Sequence, residues 1–78
     1  MEVKTLHIML SSINDVKNFV NIVNKYDCEI DLTSGRYAVD AKSIMGIFSL
    51  DLTKPIKMEI HAENTDAIVD ELKPYITE

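Results

Sequence analysis

The side chains able to act as nucleophiles or metal ligands are few in this sequence and widely spaced. His7 and His61 both lie in segments where polar and apolar residues alternate, each on the less apolar side. If these segments are neighbouring strands, the two imidazoles could face each other, but without carboxylate or cysteine ligands nearby they make a weak metal site. We therefore predict that both are surface residues and that the chain holds no metal and no cofactor.

Cys28 is the only cysteine of the chain, so an intrachain disulfide is impossible. A lone thiol suits the reducing cytosol, and a free cysteine usually behaves as a small apolar residue. We predict a half-buried or core position for Cys28 and a cytoplasmic location for the protein. Because no segment combines a nucleophile with a base, the chain is predicted not to be an enzyme.

Two serines stand where helices are predicted to begin. Ser12, with Asp15 three positions later, approximates a capping box in which Asp replaces the usual Glu or Gln. Ser43 leads a dense apolar group that ends at Leu50. A serine in such a position caps the helix, a role worth about 1 kcal/mol. For Ser12 we favour capping over a role as a phosphoryl acceptor.

The hydrophobic patterning predicts seven elements. Alternation of period two predicts strands over residues 3–10, 28–32, 37–40 and 56–62, with a turn at 33–36. Apolar spacing of three and four predicts helices over 12–25 and 43–50, and a last one after the Asn64-Thr65-Asp66 cap that Pro74 stops or kinks. The order βαββαβα predicts one α+β domain over residues 1–78. Its four-stranded sheet is mostly antiparallel, with three helices on one face.

Charge and hydropathy exclude several classes of protein. The 13 acidic and 8 basic residues give a net charge of −5, and the scattered cations form no basic face for nucleic acid. No run approaches the roughly 18 apolar residues of a membrane span. Residues 1–10 lack the long apolar stretch of a signal peptide.

The sequence resembles the HPr family, the phosphocarriers of the sugar phosphotransferase system. The resemblance is clearest at Ala41-Lys42-Ser43-Ile44-Met45-Gly46-Ile47-Phe48-Ser49-Leu50. It extends through Lys25-Tyr26-Asp27, the strands that flank Gly35 and the Asp66-Ala67 helix start. It implies the family fold, an open-faced β-sandwich with the element order predicted above.

The family's active histidine lies in a His-Ala-Arg-Pro run at the start of the first helix. An ungapped alignment on Lys25-Tyr26-Asp27 brings that run onto Ser12-Ile13-Asn14-Asp15. The histidine position falls on Ser12, the arginine on Asn14 and the proline on Asp15. Phosphoryl relay needs an imidazole nucleophile and donors for the phosphate oxygens, and Asp15 would repel the incoming phosphate. The resemblance therefore predicts no histidine phosphocarrier activity.

In the family, the serine matched by Ser43 is the target of a regulatory kinase. A phosphate there meets the positive end of the helix and adds about −1.5 to −2 charge. In the family, the short helix that follows this serine presents apolar side chains to partner proteins. We predict such a patch here at Ile44, Met45 and Phe48. We expect Ile47 and Leu50 to face inward. Phe48 stands where the family often has methionine.

The sequence is compatible with three functions. The first is a regulatory binding module similar to the catabolite-repression variant of HPr. Its implied partners are the HPr kinase/phosphorylase and a LacI-type transcriptional regulator, although Asn14 lacks the guanidinium that helps contact the regulator. The second is phosphoryl transfer through Ser12 or another histidine. The third is a divergent paralogue that keeps only the fold. The chain is predicted to be a monomer or weak dimer.

Overall fold

The computed structural model of the chain describes residues 2–77. Its strands are β1 (Val3–Ile8), β2 (Glu29–Ser34), β3 (Tyr37–Asp40) and β4 (Ile56–His61). Its helices are α1 (Ile13–Val23), α2 (Ile44–Phe48) and α3 (Asp66–Leu72), and a 3₁₀ turn (Lys73–Tyr75) follows. The predicted element order is confirmed, with the 3₁₀ turn added where Pro74 ends the last helix.

The four strands form one sheet in the order β1-β4-β2-β3. All three strand pairs among the described residues are antiparallel, which confirms an α+β fold with an antiparallel sheet. The inward face of the sheet and the apolar faces of all three helices share one core. Its fully buried members include Ile30, Met58 and Ile60 from the sheet and Phe19 and Leu72 from the helices.

The first strand and the first helix both end earlier than predicted, and hydrogen bonds outside the regular elements show where each ends. β1 ends at Ile8, before the predicted residue 10, and the next backbone N–H, that of Met9, donates to the Tyr75 carbonyl at 2.8 Å. α1 ends at Val23, before the predicted residue 25. There the Asn24 amide Nδ2 donates to the Val20 carbonyl at 2.9 Å and closes the last turn.

The turn that connects β2 and β3 consists of two residues, Gly35 and Arg36. Gly35 has φ +60°, and no other described residue has a positive φ. A glycine with positive φ at the first of two turn positions is typical of a type II′ turn, which matches the twist of the flanking strands. This turn is tighter than the predicted 33–36, and it places the Arg36 side chain at the tip of the hairpin.

The face of the sheet away from the helices carries opposed carboxylates. Asp31 lies directly opposite Asp40 of β3 on one side and Glu59 of β4 on the other. Like charges placed directly across a strand pair destabilise it. The nearby His61 offsets part of this cost, because its Nε2 lies 3.1 Å from the Asp31 Oδ2.

A cluster around Glu71 joins the segment after α1 to α3. The Glu71 carboxylate accepts hydrogen bonds from Lys25 Nζ, at 2.7 Å, and from the Tyr26 hydroxyl. The bond from Lys25, followed by that from Tyr26, lowers the pKa of Glu71 below its ordinary value of 4.5. The bond to Glu71 raises the pKa of Tyr26 above its ordinary 10.0.

We expect Glu71→Gln to be less stable than the wild type near neutral pH, with a difference that shrinks in acid. A depressed carboxyl pKa stabilises the fold above the unfolded-state pKa, here about 4.5, and this contribution is lost as the pH falls through the folded-state value. Urea unfolding followed by circular dichroism across this range measures the difference. Glu63→Gln, at an exposed glutamate, is the control. If the difference in the free energy of unfolding between Glu71→Gln and the wild type stayed constant in acid, this would contradict a stabilising role for the ionised Glu71 carboxylate.

Candidate functional site

The start of α1 is capped by hydroxyls and made anionic by Asp15. The Ser12 Oγ accepts a hydrogen bond from the Asp15 backbone N–H at 3.1 Å, which confirms Ser12 as the N-cap. The Asp15 carboxylate accepts from the Ser11 hydroxyl at 2.8 Å and from the Ser11 N–H at 3.1 Å. These bonds, the one from the hydroxyl first, lower the pKa of Asp15. The approximate capping box thus closes on Ser11, and a negative charge stands at this helix start.

The start of α2 is capped by Ser43. The exposed Ser43 Oγ accepts a hydrogen bond from the Gly46 backbone N–H at 3.2 Å. Asp40 fixes the approach to this cap, because its carbonyl accepts from the Ser43 N–H at 3.0 Å and its carboxylate from the Lys42 N–H at 2.8 Å. The hydroxyl is therefore held at a defined position on the surface.

Gly46 leaves room for that hydroxyl. A Cβ at position 46 would lie 3.2 Å from the Ser43 Oγ and 3.1 Å from the Val39 Cβ, closer than most such contacts in proteins. A glycine three residues after the cap therefore lets α2 approach β3 while its N–H reaches the serine. This gives a physical reason for the Ser-Ile-Met-Gly spacing.

The lysine next to Ser43 is already engaged. Lys42 Nζ donates to the Tyr26 carbonyl at 2.6 Å. The ammonium group is therefore held towards the segment after α1. A phosphate added to Ser43 would be left to face solvent or a partner, with the positive end of α2 beside it.

The apolar surface of α2 is narrower than predicted. Met45 is 77% exposed and Phe48 41% exposed, whereas Ile44 is half-buried and packs against the core. The prediction that Ile47 and Leu50 face inward is confirmed, since both are buried. We refer to Met45 and Phe48 together as the α2 patch.

Ile13 is an exposed apolar residue outside the exposed patch that the sequence predicts. It is the first residue of α1, and 63% of its surface is exposed. The sequence carries no signal for this exposure, because Ile13 lies three residues before the buried Val16, a spacing that is typical of the core-facing side of a helix.

The two histidines do not face each other, which corrects that part of the sequence analysis. β1 and β4 are indeed neighbours, but their antiparallel register sets His7 opposite Lys57 and His61 opposite Val3. Both side chains are half-buried, so the prediction of plain surface residues was also too simple. His61 is paired with Asp31, a carboxylate that the sequence spacing did not bring near it.

The described residues hold no group of three or more His, Cys, Asp or Glu side chains able to bind a metal. Cys28 is half-buried and lies just before β2. No helix within residues 2–77 is long and apolar enough to cross a membrane.

The fold and these surfaces define a small open-faced sandwich that presents a capped serine beside apolar side chains. Residues 14–78 match the protein family described as PTS HPr component phosphorylation site. The chain belongs to this HPr family of the sugar phosphotransferase system, whose members are phosphocarrier proteins that interact with other proteins of the system, and not enzymes. The matched region begins two residues after Ser12 and contains Ser43 and the α2 patch.

Solved structures show the same fold. The chain is similar to HPr-C-His from Thermoanaerobacter tengcongensis, with 25% identity, a TM-score of 0.73 and coverage of 95% of this chain and 89% of that one. It is also similar in fold to the phosphocarrier protein HPr from Bacillus anthracis str. Ames, with 23% identity, a TM-score of 0.71 and coverage of 97% and 96%. No curated protein sequence matches the chain.

Proposed function

We propose that this protein is a regulatory binding module of the phosphotransferase system that is switched by phosphorylation of Ser43 and carries no phosphohistidine. The observation that carries the proposal is the exposed, capped Ser43 hydroxyl on the same short helix as the α2 patch. In this proposal residues 1–78 form one cytoplasmic domain. The protein acts as a monomer or weak dimer on protein partners, without a cofactor.

The start of α1 supports the loss of the phosphocarrier reaction. The resemblance assigns the histidine position to Ser12, whose oxygen already accepts the Asp15 N–H. Asp15 sits in place of the family proline, and its lowered pKa keeps it ionised near neutral pH. An incoming phosphate would meet a carboxylate there and neither an imidazole nor a guanidinium.

His61 is a poor substitute for the missing nucleophile. Its bond to Asp31 would hold a proton on Nε2 and leave Nδ1 as the reactive atom. The directly facing residue on β2 is Glu29, however, and the next pair on the same face of the sheet is Asp31 with Glu59. This group of carboxylates would repel both the phosphoryl donor and the product.

Ser43 is chemically suited to a kinase. Its hydroxyl is exposed, and its hydrogen bond within the described part of the chain is the cap bond to Gly46, worth about 1 kcal/mol, so modification would leave the core untouched. A phosphate there adds about −1.5 to −2 charge beside the α2 patch. Charge and apolar contact would then be presented to one partner surface.

The proposed partners follow from the resemblance and from the α2 patch. An HPr kinase/phosphorylase would modify Ser43, and a LacI-type transcriptional regulator would bind the phosphorylated form. Met45 and Phe48 would supply the apolar contact, since a flexible thioether and an aromatic ring suit an adaptable interface. Ile44, which is half-buried, would support this contact from below.

Incubation with an HPr kinase and ATP, followed by intact-mass measurement, tests the proposal. We expect the wild type to gain one phosphate and Ser43→Ala to gain none. Ser49→Ala is the matched control, because Ser49 is an exposed serine at the opposite, negative end of α2 and its loss should leave phosphorylation unchanged.

A second incubation, with enzyme I and phosphoenolpyruvate, should give no acid-labile phosphate. Phosphohistidine in that reaction would overturn the loss of phosphocarrier activity. An unmodified wild type in the kinase reaction would overturn the serine switch and leave a binding domain with the family fold alone.

A further inference from the structure

A cleft of about 390 Å³ lies between the β2–β3 hairpin and the segment after α2. A volume of this size falls in the range of small-molecule sites. The cleft combines cations, a carboxylate, hydroxyls and an aromatic ring. The side chains used below are Ser34, Arg36 and Tyr37 from the hairpin and Ser49, Asp51 and Lys54 from the other wall.

The two cations of the cleft are not engaged elsewhere in residues 2–77. Lys25 and Lys73 form ion pairs with acidic side chains of α3. The Arg36 and Lys54 side chains form no hydrogen bond or close ion pair with the other described residues. Their convergence on one cleft is notable in a chain with a net charge of −5. A guanidinium matches two phosphate oxygens at once, and an ammonium adds a point charge.

The carboxylate of Asp51 also lines this cleft, so a ligand that is only an anion would leave it without a favourable partner. Its Oδ1 accepts from both the N–H and the hydroxyl of Thr53, which leaves Oδ2 without either bond. The bond from the Thr53 hydroxyl is the main cause of its lowered pKa, and Lys54 contributes. An ionised carboxylate repels phosphate but accepts hydrogen bonds strongly from hydroxyl groups.

Tyr37 adds an apolar surface to the same cleft. Its side chain is 68% exposed, a large value for an aromatic residue in a strand. An exposed ring offers a flat face to the C–H groups of a ligand, and its hydroxyl can bond to a polar group at the edge. Ser34 and Ser49 place further hydroxyls on the two walls.

We propose that this cleft binds a sugar phosphate, with Arg36 and Lys54 on the phosphate, Asp51 on the sugar hydroxyls and Tyr37 against the sugar ring. The cleft lies at the end of α2 opposite Ser43 and uses none of the residues assigned to the serine switch. The residues that would bind the ligand are therefore separate from the residue that would be phosphorylated, and either proposal can fail without the other.

Titration of ¹⁵N-labelled protein with glucose 6-phosphate at constant ionic strength tests the site. We expect amide shifts confined to residues 34–37 and 49–54, with a dissociation constant on the order of 1 mM. Arg36→Gln and Lys54→Gln should each weaken binding by about 5-fold, as for exposed charge pairs. Lys57→Gln, which removes a lysine of β4 outside the cleft, is the matched control and should bind as the wild type does.

Glucose and inorganic phosphate, titrated separately, identify the ligand class. We expect each to bind more weakly than glucose 6-phosphate, and Asp51→Asn to raise the affinity for inorganic phosphate by removing the repulsion. Inorganic phosphate binding as tightly as the sugar phosphate would overturn the assignment. Shifts spread along the whole chain, or equal losses in Lys57→Gln and Arg36→Gln, would overturn the site.

Discussion

Replacing Phe19 by alanine is expected to lower the free energy of unfolding by about 3–5 kcal/mol. Phe19 is fully buried on the inward face of α1, and its ring meets that of Tyr75 edge-on, with centroids 6.4 Å apart. The substitution removes both the buried surface and this aromatic contact. Domains of this size are stabilised by roughly 4–12 kcal/mol in total, so the variant would stand near the limit of folding.

Phe48→Ala is the matched control, because the chain has only two phenylalanines and Phe48 is partly exposed on α2. We expect this control to cost less than about 1 kcal/mol, as surface substitutions do. Urea unfolding followed by circular dichroism measures both variants. Equal losses in the two would show that Phe48 belongs to the core and would remove it from the α2 patch.

Replacing Met45 by alanine is expected to raise the KM of the HPr kinase for this protein by about 10-fold or more, with no change in melting temperature. Among residues 2–77, Met45 is the most exposed of the large apolar side chains, so its truncation leaves no cavity. At the centre of an interface, loss of one anchor costs about 1–2 kcal/mol, and 1.4 kcal/mol corresponds to a factor of ten.

Val3→Ala provides the comparison for Met45→Ala. Val3 is also an exposed apolar residue, but it lies in β1, away from α2. Initial rates of phosphorylation at varied protein concentration separate KM from kcat for both variants. An unchanged KM for Met45→Ala, or the same rise for Val3→Ala, would sink the proposed role of the α2 patch.

The fold was predictable because its signals are local. Ile30 and Leu32 alternate with polar residues on β2, and both are fully buried on its inward face. Ser12 caps α1 as its type and position predict. Gly35 marks the hairpin because only glycine adopts the positive φ of that turn without strain. Each of these signals involves residues a few positions apart, which a sequence displays directly.

Contacts between distant segments were not predictable in the same way. The separation of His7 from His61 depends on the register of β1 against β4, segments about fifty residues apart in the chain. The Glu71 cluster and the pairing of His61 with Asp31 likewise join residues that no spacing rule connects. Register and topology must be known before such contacts can be stated.

The candidate site was predicted only in part, and the reason is different. Ser43 was identified by the resemblance of its segment and lies at the helix start, as expected. Ile44 was assigned to the exposed patch but is half-buried. A helix of five residues gives less than two turns of periodicity, too little to separate neighbouring apolar residues into inward and outward sets. Packing against β3 decides their orientation.

We expect the opposed carboxylates of β2, β3 and β4 to affect also how copies of this protein meet in a crowded solution. A sheet face that no helix covers can stack against the same face of a second molecule. Asp31, Asp40 and Glu59 make such stacking unfavourable, because each copy would bring its negative charges against those of the other. The local cost to the sheet is thus accompanied by resistance to aggregation, and added salt, by screening these charges, weakens that resistance.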